Sequence, residues 1–106
     1  MAKYLFRSTY TTDGVRGLLD EGGSGRAAET EHLLARLGGR LESVYFSFGG
    51  ADTYMIAELP DNMTAAAIRL AINASGAVDT EVVVLLTPDE IDRATRQKVG
   101  FRAPGA

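Results

Sequence analysis

The side chains Tyr10, Tyr45, Phe48, Asp52, Tyr54, Arg69 and Asn73 combine types and spacings that chemistry uses. Three phenols and a phenylalanine can enclose a flat or aromatic molecule, because small-molecule pockets are apolar with a few placed polar groups. The same side chains are ordinary residues of a sheet. Asp52 follows Gly49-Gly50-Ala51 and opens an apolar run, where a carboxylate beside a cleft can accept a proton as general base. In a glycine turn it equally caps backbone N–H groups, and that is its simpler role. Arg69 and Asn73 interrupt the otherwise apolar Ala65–Ala74 one helical turn apart. They either anchor an acidic ligand group or face outward near the helix end.

Other candidates are weaker. Arg26, just after Gly23-Ser24-Gly25, can hold an anion together with a helix N-terminus. Those glycines are not a phosphate loop, since no Gly-x-x-x-x-Gly-Lys pattern exists. Glu58 shares a strand face with Asp52 and Tyr54, and a half-buried glutamate there needs Arg7 or Arg40 as an ion partner. His32 is the sole histidine and lies beside Glu29, off the apolar stripe of its helix. One solvated imidazole without thiolates does not make a zinc site or a haem ligand, so no metal and no cofactor is expected.

Composition narrows the classes further. With 106 residues, one domain with one modest core is expected, residues 1–99, followed by a short tail, 100–106. Apolar content of 45% with 24% charge fits a folded globular chain. A net charge of −3 with scattered basic residues disfavours nucleic acid as a partner. The absence of cysteine excludes disulfides and thiol chemistry and fits a reducing cytoplasm. The apolar stretch at Tyr4-Leu5-Phe6 is too short for a signal peptide or membrane span, so no membrane partner is expected.

These residues need elements to position them. Strands are predicted at Lys3–Tyr10, Leu41–Phe48, Thr53–Leu59 and Val78–Leu86 from β-forming residues between glycine and proline stops. Val15–Leu19 reads as a short helical turn. A helix follows the Gly22–Gly25 break from about Arg26 to Leu37, with Ser24 as its cap and Ala27, Thr30, Leu34 and Leu37 on one face. Gly38-Gly39 ends it. A second helix, Met63–Ser75, is capped by Asp61 or Asn62 and is apolar nearly all round, so it should be covered on more than one side. Thr87-Pro88-Asp89-Glu90 opens a short polar helix.

The order β-α-β-β-α-β plus a helix predicts an α+β fold, a ferredoxin-like plait with an antiparallel sheet. The hairpin Val44–Leu59 carries apolar residues on both faces and is expected to be buried on both sides. Sheet-against-sheet homodimerisation into a dimeric α/β barrel would supply the cover.

Residues Lys3–Phe6, Tyr10–Val15, Gly38–Glu42, Tyr45–Gly49, Asp52, Glu58–Asn62 and Ala71–Gly76 together resemble the GYD-domain family, over about residues 3 to 95. The family is similar to the dimeric α/β-barrel proteins, so the resemblance implies a ferredoxin-like homodimer. It implies no activity. The namesake motif usually has tyrosine before the aspartate; here Ala51 stands in that place, leaving more room. The resulting expectation is a cytoplasmic homodimer that binds a small, partly apolar molecule between sheet and helices. The alternatives are a cofactor-free monooxygenase or isomerase acting on a flat, activated substrate, and a pure assembly module.

Overall fold

In the computed structural model, which describes residues 1–106, the apolar runs form four strands and the periodic stretches three helices. Their order is β1 (Ala2–Tyr10), α1 (Thr12–Arg36), β2 (Arg40–Phe46), β3 (Thr53–Leu59), α2 (Asn62–Ala74), β4 (Val78–Leu85) and α3 (Pro88–Thr95). The sheet is antiparallel throughout, ordered β2-β3-β1-β4. The fold class is therefore α+β.

Strand alternation sorts the side chains onto two unlike faces. Tyr4, Phe6 and Ser8 of β1 join Met55, Ala57 and Leu59 of β3 on one face, where Leu34 of α1 and Ala65 and Ile68 of α2 close over them. Burying a leucine or phenylalanine fully contributes roughly 1.5–3 kcal/mol, so this single layer carries the fold. The Tyr4 hydroxyl donates to Asn62 Oδ1 at 2.6 Å, tying the sheet centre to the first residue of α2. The opposite face carries Leu5, Arg7, Tyr54, Ile56 and Val83, and no helix of the chain packs on it.

The helix ends show why the chain folds here. Thr11 caps α1 by accepting the Gly14 N–H at 3.3 Å, and its hydroxyl donates to the Gly76 carbonyl at 2.8 Å. Asp61 caps α2, as read, and Thr87 with Glu90 forms a full capping box on α3. The basic or polar tail of α3 leaves the body altogether. A compact chain of this length has a radius of gyration of about 13 Å, whereas this one measures 16.8 Å and spans 57 Å along its long axis.

Several expectations need correction. The span Thr12–Arg36 is two helical pieces meeting at a non-helical Gly22, so the expected glycine break stands. The first piece begins at Thr12, capped by Thr11, and is longer than the single turn expected; Ser24 lies inside the second and caps nothing. The glycine cluster survives as a kink at Gly22, whose φ of 80° is open to glycine but strained for other residues. Leu37 lies past the helix and is exposed. Helix α2 is covered on one side only: Met63 and Leu70 are exposed, because α2 lies at the outside of the two-layer body. The hairpin is not buried on both sides within one chain, since β2 is an outer strand and Tyr45 and Phe46 stay exposed. Strand β2 stops at Phe46, so Phe48 falls in the connecting loop.

Candidate functional site

Between α1 and α2, over the helix-covered face of the sheet, lies a narrow cleft of about 90 Å³. Its walls come from Phe6, Leu33, Leu34, Met55, Ile68 and Ile72, which alternation and helical spacing all turn inward. A further, wider hollow of about 430 Å³ continues from it, sharing Tyr10, Arg26 and Ile72 and reaching Glu21 on α1. Tyr10 and Arg26 thus stand where the two meet. Gly23 helps shape this place: a Cβ there would touch the Phe46 ring at 3.4 Å, so the kinked helix lies directly against it.

Ser8 and Thr53 bring hydroxyls to the cleft, and they are not equivalent. Ser8 and Thr80 share a hydrogen bond at 2.8 Å, and Thr80 also donates to the Arg7 carbonyl at 3.2 Å. Thr53 is only 8% exposed as a residue and lines the cleft; its hydroxyl bonds no protein group and is reached by solvent, since no fully buried side-chain polar atom of the chain lacks a partner. It is therefore free to meet water or a ligand atom from the cleft.

Tyr10 is half-buried. Burial pushes its phenol above the ordinary value; Arg26 pulls it down, while Asp52 and Glu21 push it further up. The phenol therefore stays protonated at neutral pH and serves as a donor. Arg26 lies 3.6 Å from the Glu21 carboxylate, a partly exposed pair that leaves other guanidinium N–H groups for a guest.

The remaining residues singled out in the sequence lie elsewhere. The Asp52 carboxylate accepts the Tyr10 N–H at 2.7 Å, and its own N–H donates to the Ser8 carbonyl at 2.8 Å. It is the cap of the simpler reading, holding the loop to the end of β1. Tyr45 and Tyr54 pair across β2 and β3 on the opposite face, and Phe48 projects fully into solvent. The aromatic enclosure is therefore not assembled; strand parity divides it. Arg69 Nε donates to the Thr80 carbonyl at 3.1 Å, and the Thr80 N–H donates to Asn73 Oδ1 at 2.8 Å. Both side chains are engaged with β4 and not turned to a guest.

Glu58 accepts from Arg40 at 2.7 Å, as anticipated, but its second partner is Lys3 at 3.1 Å, while Arg7 pairs with Glu81. His32 is exposed on α1, and no group of three or more His, Cys, Asp or Glu side chains is gathered as a metal site. No helix is long and apolar enough to cross a membrane. Thr53 and Ser8 escaped sequence reading; their only signal was a hydroxyl at the same parity as Met55 or Phe6, on a face otherwise built to be dry.

No curated protein and no solved structure matches this chain. The model of one family, described as the GYD domain, matches residues 4–95, from within β1 to the end of α3. That span takes in the whole sheet after its first two residues and every side chain of the cleft, so the chain belongs to the GYD domain family.

Proposed function

We propose that this protein binds a small, partly apolar acid between its sheet and helices, and that it does so as a cytoplasmic homodimer. The observation that carries the ligand is the mostly apolar cleft itself, with the Thr53 hydroxyl open to it and bonded to no protein group, and Tyr10 and Arg26 at its mouth. A guest with a polar atom beside Thr53 would bond that hydroxyl. Its apolar body would lie against Phe6, Met55 and Ile72, and its acidic group would meet Arg26 and the Tyr10 phenol at the mouth. Asp52, already engaged by the Tyr10 N–H, and a phenol held protonated leave no evident base. Binding is therefore favoured over the cofactor-free enzyme.

The strand order β2-β3-β1-β4 supports a ferredoxin-like plait. The open face, with Leu5, Ile56, Val83 and the Tyr45–Tyr54 pair, supports face-to-face pairing of two sheets into a barrel. The lack of cysteine supports the cytoplasm.

The test is thermal unfolding of the wild type, Thr53→Val and Arg26→Gln against a panel of aromatic and short-chain carboxylic acids. At least one acid is expected to raise the wild-type Tm by several degrees, through mass action on the folded state, and to lose most of that effect in both variants. Equal shifts in all three proteins, or none in any, would overturn the reading.

A further inference from the structure

We propose that the C-terminal arm, α3 with residues 96–106, docks on a second copy of this chain and clasps the homodimer. The proposal rests on the homodimer argued above and adds the element that secures it. Three observations converge. First, the arm has no substantial packing partner among the other elements of its own chain, and it accounts for the departure from a compact radius. Second, it presents large apolar side chains to solvent: Ile91 on α3, then Val99 at 81% and Phe101 at 69% exposure. Apolar groups held away from their own body mark a surface meant for cover.

Third, the charges are complementary. The end of the arm, residues 96–106, carries Arg96, Lys98 and Arg102 and no acid, a charge of +3, while α3 before it is −2. The whole chain is −3, so the body, residues 1–87, carries −4. The acidic receiver is the start of β4. There Asp79 has no ion partner, and Glu81 has only the exposed Arg7 pair. Beside them Thr9, Ala51 and Tyr54 bound a surface hollow of about 310 Å³.

The chain's own arm leaves from the far end of β4, after Leu85, about 20 Å of strand away from Asp79. A two-fold axis lying across the strands sets β4 antiparallel over its counterpart and brings each arm to the other copy's Asp79 end. Such an interface is isologous, so two identical arms clasp two identical receivers.

The test begins with the full-length chain. A benzophenone amino acid replaces Phe101, and unlabelled and ¹⁵N-labelled copies are mixed, irradiated and mapped by mass spectrometry. Crosslinks are expected between copies, near Thr9, Ala51 and Asp79. In parallel, the dimer dissociation constant is measured for the wild type and for Val99→Ala/Phe101→Ala. It is expected to rise at least tenfold in the variant, and Asp79→Lys should raise it too, with an effect that shrinks in high salt.

Circular dichroism of dilute samples checks that the variants stay folded; the substituted side chains lie outside the core. A wild-type dimer with unchanged affinity in the arm variant would overturn the clasp and leave the dimer standing. Crosslinks confined within one chain would overturn it as well. A wild type that stays monomeric at every concentration would remove both readings together.

Discussion

Two buried threonines should respond unequally to the same substitution. Thr→Val keeps the β-branched shape and replaces one hydroxyl by a methyl. At Thr80 the hydroxyl bonds Ser8 at 2.8 Å and the Arg7 carbonyl at 3.2 Å, and the residue is wholly buried. Thr80→Val therefore leaves two buried groups short of a partner, which costs about 1–3 kcal/mol. At Thr53 no such bond exists, and the hydroxyl is open to water in the cleft. No buried group is left short of a partner by the change, so Thr53→Val should alter the stability of the ligand-free protein by about 0.5 kcal/mol or less. For a domain near 100 residues, 1 kcal/mol corresponds to roughly 4–8 °C in Tm. Urea and thermal unfolding followed by circular dichroism, at one fixed protein concentration, should show Thr53→Val close to the wild type and Thr80→Val clearly below it. A Thr53→Val protein destabilised as much as Thr80→Val would show that the Thr53 hydroxyl is already satisfied, and the argument for a ligand atom there would fall.

Gly14→Ala should be far more damaging than an ordinary helix substitution, because the new Cβ would lie 2.0 Å from the Ala77 carbonyl oxygen, where backbone must move; the readout is loss of the cooperative unfolding transition or of soluble protein. Leu34→Ala empties a site with no exposed surface and should cost about 2–5 kcal/mol in urea unfolding. Glu58 has its carboxyl held below the ordinary range by hydrogen bonds from Lys3 and Arg40. Its contribution is therefore present above the unfolded-state value and is lost as pH falls through the depressed folded value. Accordingly, the stability gap between wild type and Glu58→Gln should narrow on acidification across that window, and a gap that widens would reverse the assignment.

The sheet was largely legible because Tyr4/Phe6, Met55/Ala57/Leu59 and the bounding Pro60 and Gly76 are local signals that tertiary packing reinforces. Helix α1 was legible only in part. Gly22-Gly23-Ser24-Gly25 is a strong local break, but Thr11 at one end and buried Leu34 at the other hold a helix on each side, leaving only a kink. The site was half legible. Tyr10 is legible as an aromatic side chain and Arg26 as a basic residue after a glycine break, but Tyr45 and Tyr54 do not join Tyr10, because parity sends them to the other face. Whether a hydroxyl such as Thr53 is paired depends on neighbours distant in sequence, and no local pattern encodes it.

The bonds from Arg69 and Asn73 to Thr80 have a consequence for how copies can meet. An outermost strand offers unpaired N–H and C=O groups to any passing extended chain. On β4 those groups of Thr80 are occupied by side chains reaching down from α2. A neighbouring sheet cannot zip onto β4 there without first displacing both. At the other margin, the irregular register between Leu41 and Ser43 interrupts the β2 ladder. Lateral growth into a continuous ribbon is thus obstructed at both margins, one plugged by side chains and the other misaligned. The same arrangement would protect the protein from fibril-like polymerisation in the cell.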